Sequence, residues 1–399
     1  MSARALELID LVARWIHVIA AIMWVGNSLL FNWLDRNLRP SSGRTGGPIG
    51  EIWLLHSGGF YYVEKTSLSG QSLPAPLHWF KWQAYTTWLS GLALLFVVYY
   101  LGGRAVLADP TVSALDHRAA VWVSLGAIVG GWVLYESMQR FVAPRAPTLA
   151  ALVWLTGLTA IAVALTQLLS GRAAFLHVGA MMGTIMAANV FFTIVPSQRE
   201  LVASVSEGRG ASQAVSDRAK RVSIHNNYFT FPVIVLMISN HFPVVYGHRH
   251  SWLLLLLLIV IGAAVRHILN IRFTLPSWKP VLATTLSASA AALYAVLRFT
   301  GGDATSISDG TGAPVSFVEA RHVIDRRCTV CHSATPADMT FGPAPGGVVF
   351  DTPAQIASYA SRINERAVVT RTMPPGNKTN ITEGERALLG RWVARGGRR

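Results

Sequence analysis

Eight runs of mostly apolar residues dominate the first three quarters of the chain, each close to the ~20 residues a helix needs to cross a hydrocarbon core. They cover Trp15–Leu34, Trp82–Leu101, Ala119–Met138, Pro147–Leu169, Ala173–Val195, Tyr228–Gly247, Ser251–Val265 with its continuation to Ile271, and Pro280–Leu297. The third and seventh carry a charge near one end, Glu136 and Arg266. Residues 298–314, rich in Gly, Ser, Asp and Thr, predict a linker. From Val315 the pattern turns polar. It predicts a separate domain over 315–399, with a first helix at Val315–Arg327 and a last helix opened by a Thr382/Glu385 capping box and running through Trp392.

Composition sharpens this picture. Soluble domains carry about 25% charged residues, whereas this chain of 399 carries 14%, with 52% hydrophobic residues and a mean hydropathy of +0.40. Most of it is expected to be solvated by a lipid bilayer. A net charge of +14 could suggest a nucleic-acid partner. The basic residues sit instead in short segments between apolar runs, which excludes that class and suits contact with anionic lipid. The first apolar run is too long for a cleavable signal peptide and lacks a small-residue cleavage site.

The only two cysteines lie in Arg327-Cys328-Thr329-Val330-Cys331-His332. Two thiols spaced to reach both vinyl groups of one haem, with a histidine behind them to ligate iron, describe covalent c-type haem attachment. Two cysteines exclude a four-cysteine zinc site, and a thioredoxin-like pair would want a βαβ context that is absent. The tail therefore resembles a small class I cytochrome c holding one haem c through Cys328, Cys331 and His332. Met373, in Thr372-Met373-Pro374-Pro375, is the preferred sixth ligand, and Met339 is the other candidate. A thioether opposite His332 raises the potential and makes the domain an electron acceptor.

The expected fold is thus all-α: an eight-helix integral membrane bundle over 1–297, a linker, and a cytochrome c-like helical domain over 315–399. Haem is attached outside the cytoplasm, so the tail is expected in the periplasm, and eight spans place the N-terminus there too. The segments on the cytoplasmic side then hold 15 Lys and Arg, against seven outside before the tail. That agrees with the positive-inside rule.

Histidines inside the runs form two groups. His17, His177 and His241 all fall roughly 5–10 Å inside the outer boundary at 1.5 Å per residue. Ionisable side chains at such depth are costly and usually face a cofactor or cavity. They are candidate ligands of a second, b-type haem, although interhelical hydrogen bonding accounts for them equally. Residues His17–Gly26 are similar to the first helix of HemJ-type protoporphyrinogen oxidases, in which the equivalent histidine ligates haem. The second group lies on the cytoplasmic side: His56, His78, His225 and His267, with Glu64, Lys65, Lys81, Asn226, Asn227 and Arg266. Flat rings together with cations and amides suit a planar anionic substrate. An aromatic belt with snorkelling Lys81 explains Trp79 and Trp82 as well.

GGFYYVEK at Gly58–Lys65, LHWFKWQAYTTW from Leu77, HVGAMMGTIMAANVFFTIVPSQ from His177 and SIHNNYFTFPV from Ser223, with the fused CxxCH segment, resemble the bacterial membrane-bound urate oxidase (urate hydroxylase) family. The resemblance implies oxidation of urate to 5-hydroxyisourate in the inner membrane, with electrons passing to a respiratory cytochrome or terminal oxidase. Glu64, His78 and His225 are the candidate bases. His56, Lys65, Lys81, Asn226, Asn227, Arg266 and His267 are candidate urate contacts. Two rivals remain at this level: a cytochrome subunit relaying electrons from quinol or a partner, and a transporter with a haem-based redox sensor. The sequence leaves the oligomeric state open.

Overall fold

The computed structural model describes residues 3–40, 49–66, 73–101, 104–209, 212–299, 315–339 and 344–397. Helix α1 (Ala3–Asn37) leads into a hairpin of β1 (Gly50–His56) and β2 (Gly59–Lys65). There follow α2 (Trp82–Leu94), continued by a π-helical stretch to Tyr100, a short α3 (Arg104–Leu107), α4 (His117–Ser137) and α5 (Pro147–Leu168). Next come α6 (Gly171–Asn189), α7 (Val195–Ser206), α8 (Gln213–Ile238), the single turn α9 (Pro243–Tyr246), α10 (Ser251–Ile271) and α11 (Trp278–Phe299). The C-terminal part holds α12 (Phe317–Arg327), α13 (Pro353–Ser358), α14 (Ala360–Ile363) and α15 (Glu383–Ala394). The all-α expectation holds, with the hairpin as the exception.

Contacts fix the direction of each long helix. His17 on α1 donates to Thr87 O on α2 (2.9 Å), while Phe31 meets Phe80 (5.1 Å between ring centres), so α1 and α2 are antiparallel. His117 donates to Tyr100 O (2.9 Å) and turns α4 back beside α2. Ser113 reaches Leu168 O and Tyr135 packs on Trp154, which sets α5 against α4. Ser170 bonds Leu107 O at one end of α6, and Asn189 bonds Tyr135 at the other. On α8, Asn226 adjoins Asn189 and Leu236 adjoins Gly179; on α10, Arg266 adjoins Asn227. The short link before α11 forces a last reversal. Eight long helices therefore alternate, and the N-terminus and the end of α11 lie at the same end of the bundle.

Among the described residues seven of these helices are long and apolar enough to cross a membrane. Helix α2 with its π-helical extension is the eighth and falls outside that group. The reason is visible: Gln83, Thr86, Thr87 and Ser90 interrupt its apolar run, and Thr87 and Ser90 are buried. Two predicted spans also differ in extent. The helix expected from Tyr228 begins at Gln213 and ends at Ile238, and the helix expected to stop at Val195 continues as a π-helical stretch and α7 to Ser206.

Helix α6 is central, with Phe175, Val178, Met181 and Ile185 fully buried. Where lipid replaces water, close packing rather than hydrophobic expulsion holds helices together. The α8–α10 crossing shows how close: a Cβ on Gly262 would lie 2.7 Å from Pro232 N and 3.0 Å from its Cα. The C-terminal domain has its own core of Ala320, Val323, Ile324, Ile363, Leu389 and Trp392, with α12 and α15 packed together. Residues 300–314, most of the expected linker, lie outside the described residues.

The segment Gly50–Lys65, between the first two expected spans and given no secondary structure from sequence, is an antiparallel hairpin with Trp53 opposite Tyr62 and Leu55 opposite Phe60. Aromatic and branched residues favour paired strands, and a two-residue turn at Ser57 (φ 50°) and Gly58 (φ 78°) closes them.

Gly262→Ala should lower the thermal stability of detergent-solubilised protein by about 1–3 kcal/mol, because backbone atoms of Pro232 cannot yield to a methyl group. A thermal melt against the parent chain measures it, and the neighbouring Ala263→Gly serves as a mild control.

Candidate functional site

Two places in the structure gather chemistry. The first is a cavity of about 700 Å³ where the C-terminal domain meets the bundle, lined by Cys328, Cys331, His332 and Met373. Helix α12 delivers the motif: Cys328 N–H bonds Ile324 O (2.8 Å), and His332 N–H then bonds Cys328 O (2.8 Å). Ser316 and Glu319 form the capping box that starts this helix. Both thiols are free. Burial pushes the Cys328 thiol up to about 12, so it is protonated at neutral pH. Burial also lowers the His332 imidazole below its usual value. Its Nδ1 donates to Val348 O (3.1 Å), which fixes the tautomer and leaves Nε2 bare for a metal.

Met373 lines the same cavity, and its backbone is pinned on both sides. Its N–H bonds Arg366 O (2.9 Å), and its carbonyl accepts from Arg386 Nη1 (2.9 Å). Arg386 is 2% exposed and also donates to Ala367 O, so one guanidinium ties α15 to the loop that carries Met373. Met339 is 49% exposed and does not line the cavity. Two free thiols, an imidazole with one bare nitrogen and a thioether around one cavity are a set that fits a covalently held haem. On the bundle side Gly247 allows the approach: a Cβ there would come within 2.8 Å of Thr370 O and 2.7 Å of Thr372 Cγ2.

The second place is a buried polar network at the other end of the bundle. Asn189 Nδ2 donates to the Tyr135 hydroxyl (3.1 Å) and to Asn226 Oδ1 (2.8 Å), and Asn226 Nδ2 donates to Met186 O (3.0 Å). The Tyr135 hydroxyl lies 2.8 Å from His225 Nδ1. At the next position of α8, Asn227 Oδ1 accepts from Arg266 Nε (3.0 Å) and from Asn270 Nδ2 (2.7 Å). Arg266 is 2% exposed and lies over the Phe231 ring (5.4 Å), and its Nη2 has no partner. Among the described residues no carboxylate pairs with it; Glu136 pairs instead with Arg218 (2.7 Å).

Of the predicted site residues, the structure joins His225, Asn226, Asn227 and Arg266 in or beside this network. His267 is exposed on α10, with its Nδ1 2.7 Å from the Tyr228 hydroxyl. His56, Glu64 and Lys65 lie exposed on the hairpin, where Lys65 pairs with Asp35 (2.6 Å). His78 is exposed with its ring edge-on to Phe80, and Lys81 sits between the Trp79 and Trp82 rings. His17 is half-buried at the α1–α2 contact, its ring against Gly91. His177 is fully buried, donates from Nδ1 to Ala173 O (2.7 Å) and has Nε2 3.5 Å from the Tyr100 hydroxyl. The α-helix ends at Ile238, and His241 is exposed in the 3-10 turn that closes the same candidate span. Among the described residues no three His, Cys, Asp or Glu side chains cluster as they would around a metal ion.

Tyr135, Asn189 and Asn270 escaped the sequence reading. Each is a polar residue inside an apolar run, where the cost of burial is itself a signal of a partner.

In the C-terminal domain burial alone would raise the Glu385 carboxyl, but the Thr382 N–H and the Arg326 and Arg327 guanidinia bring it down to about 2. A depressed carboxylate stabilises fully above its unfolded value of ~4.3 and loses that contribution as pH falls towards about 2. Calorimetry of the parent and of Glu385→Gln should therefore show a deficit for the variant at pH 7 that shrinks between about pH 4 and pH 2.

No curated relative and no solved structure matches the chain. A family model described as urate oxidase N-terminal matches residues 3–298, from the first helix of the bundle to the last turn of α11. The alternating bundle, with its buried network, thus belongs to the urate oxidase N-terminal family, whose activity is that of an oxidoreductase.

Proposed function

We propose that this protein oxidises urate to 5-hydroxyisourate at the inner membrane and passes the electrons out through a haem c held by Cys328, Cys331, His332 and Met373. The observation that carries the reading is a bundle of the urate oxidase N-terminal family on which a CxxCH domain sits with its four candidate haem residues around one cavity. Haem c held there supplies one-electron transfer to a respiratory cytochrome or terminal oxidase. The net reaction consumes urate and one water and releases 5-hydroxyisourate, two protons and two electrons.

Arg266 is the proposed anchor for the urate anion. A guanidinium buried without a carboxylate, with one nitrogen unpartnered, is left short of charge compensation that an anionic substrate provides. Asn227 and Asn270 hold it in place, and Asn226 and Asn189 offer amide groups to the purine edges. His225 is the preferred base: with its Nδ1–H donating to the Tyr135 oxygen, Nε2 is left bare to take a proton. Glu64, His56 and Lys65, exposed on the hairpin, and His78 and the half-buried Lys81, in the segment before α2, are less well placed.

The two sites are far apart. Asn189 lies eighteen residues along α6 from Gly171, which lines the cavity, or about 27 Å. Of the histidines between them, His17 is best prepared to ligate a second, b-type haem, since Nδ1 is held by Thr87 O and Nε2 is uncommitted. A pyridine haemochrome assay finding haem c alone removes that part of the reading. With the N-terminus and the C-terminal domain in the periplasm, the buried network lies towards the cytoplasmic end of the bundle.

Adding urate to the purified, oxidised protein should bleach the oxidised haem spectrum and bring up the reduced bands. Rapid reduction by quinol with none by urate would favour a relay subunit instead. Arg266→Met should cut urate-dependent reduction at least 100-fold, the order expected when a ~3 kcal/mol charge-assisted contact is lost. Its thermal stability should stay level or rise, because an unpaired buried cation stabilises little.

A further inference from the structure

The cavity beneath the CxxCH segment is built from two parts of the chain, and its charge is lopsided. The C-terminal domain contributes Arg327, Arg362, Arg366, Arg371 and Lys378; the bundle contributes Arg172 and Arg249. Among the described residues a single carboxylate, Asp109, lines it. That carboxylate is already engaged, accepting from the Thr111 N–H (2.9 Å) and hydroxyl (2.7 Å).

Several of the cations are also accounted for. Arg327 pairs with Glu385, Arg371 with Glu383 and Lys378 with Asp338, and Arg362 lies over the Tyr359 ring. Arg172, Arg249 and Arg366 make no ion pair among the described residues. Arg172 Nε is buried with no hydrogen-bond partner, and so is Nε2 of the adjacent lining residue His248. Arg172 also stands in the first turn of α6, where the positive end of the helix dipole opposes a cation. Unmatched positive charge and bare donors therefore converge on one cavity, from a helix terminus that would not choose a cation.

A haem bound in that cavity brings two carboxylates. We infer that Arg172 and Arg249 of the bundle hold them, so that the haem pocket is complete only when the C-terminal domain sits on the bundle. The inference rests on the haem c reading above. Gly247, whose missing side chain lets the bundle close on Thr370 and Thr372, and α3, packed against the turn at Pro375–Asn377, hold the two parts at that distance. Cations beside the carboxylates disfavour the oxidised, more positive haem, so the docked domain is a better electron acceptor than the same domain alone. Bundle and haem are then matched at the contact the electrons must cross.

The test uses the full chain, purified with its haem. Arg172→Gln and Arg249→Gln should each lower the haem midpoint potential and shift the carboxylate-bending bands in resonance Raman spectra. Arg172→Lys, which keeps the charge, should recover most of the potential. Arg209→Gln, far from the cavity, should leave both readouts unchanged. If Arg172→Gln does not accumulate, Arg249→Gln together with Arg172→Lys decides. Potential and bending bands unmoved in the bundle variants, with haem present, overturn the inference while leaving haem c intact. A purified chain whose mass lacks the attached porphyrin sinks the haem reading itself.

Discussion

A charge inside this protein has no water to fall back on, and the two candidate sites follow from how that constraint is met. In the bundle Arg266 finds Asn227, Asn270 packed beside it and the Phe231 ring, but no carboxylate among the described residues. Hydrogen bonds to a charged group stabilise by about 1.5–3 kcal/mol and a cation–π contact by ~0.5–2. Removing a guanidinium from water costs several kcal/mol, so these partners offset the cost without leaving a surplus. A residue with no surplus in stability is poorly explained as structural. The missing anion points to a ligand, and a planar purine anion has the charge and the hydrogen-bonding edges to supply it.

The same constraint separates the two sites along the bundle. Alternating helices place the buried network at one end and the cavity at the other, with α6 running between them. Its interior is densely packed: Met181, Met182 and Ile185 are at most 1% exposed. Dense packing of this kind leaves little room for a small molecule to travel between the ends. In the proposed reading protons and electrons part company, since His225 and Tyr135 stand at the end remote from the CxxCH segment. A two-electron oxidation arranged as proposed would release its protons on one side and its electrons on the other.

Much of this was legible in the sequence because the signals are local. The CxxCH motif, the Thr382 cap and the apolar runs each specify their own structure within a few residues, and α12, α15 and the long helices appear where they pointed. Helix α8 began fifteen residues early because Ser216, Asp217 and Arg218 read as loop by polarity, although a helix can extend beyond the apolar layer with its polar turns in water. The hairpin was hidden for a related reason: aromatic residues next to charges read as a surface for a planar anion, and only the cross-strand pairing of Trp53 with Tyr62 reveals the strands. Asn189 and Tyr135 needed the third dimension, since no spacing along the chain announces that residues 54 positions apart share a hydrogen bond.

The choice among the candidate bases turns on the same physics. Glu64 stands on an open hairpin beside Glu51, across the strand pair, with solvent on its free side. A carboxylate so exposed is not held in one geometry, which a base aimed at a bound purine needs. His225 has the opposite surroundings: its ring packs against Tyr135, its Nδ1 is held, and amide side chains adjoin it. General-base catalysis depends on geometry before basicity. The half-buried histidine has that geometry, and Arg266, the cation proposed to hold the anion, lies on the helix packed against its own, within one turn of the same polar layer.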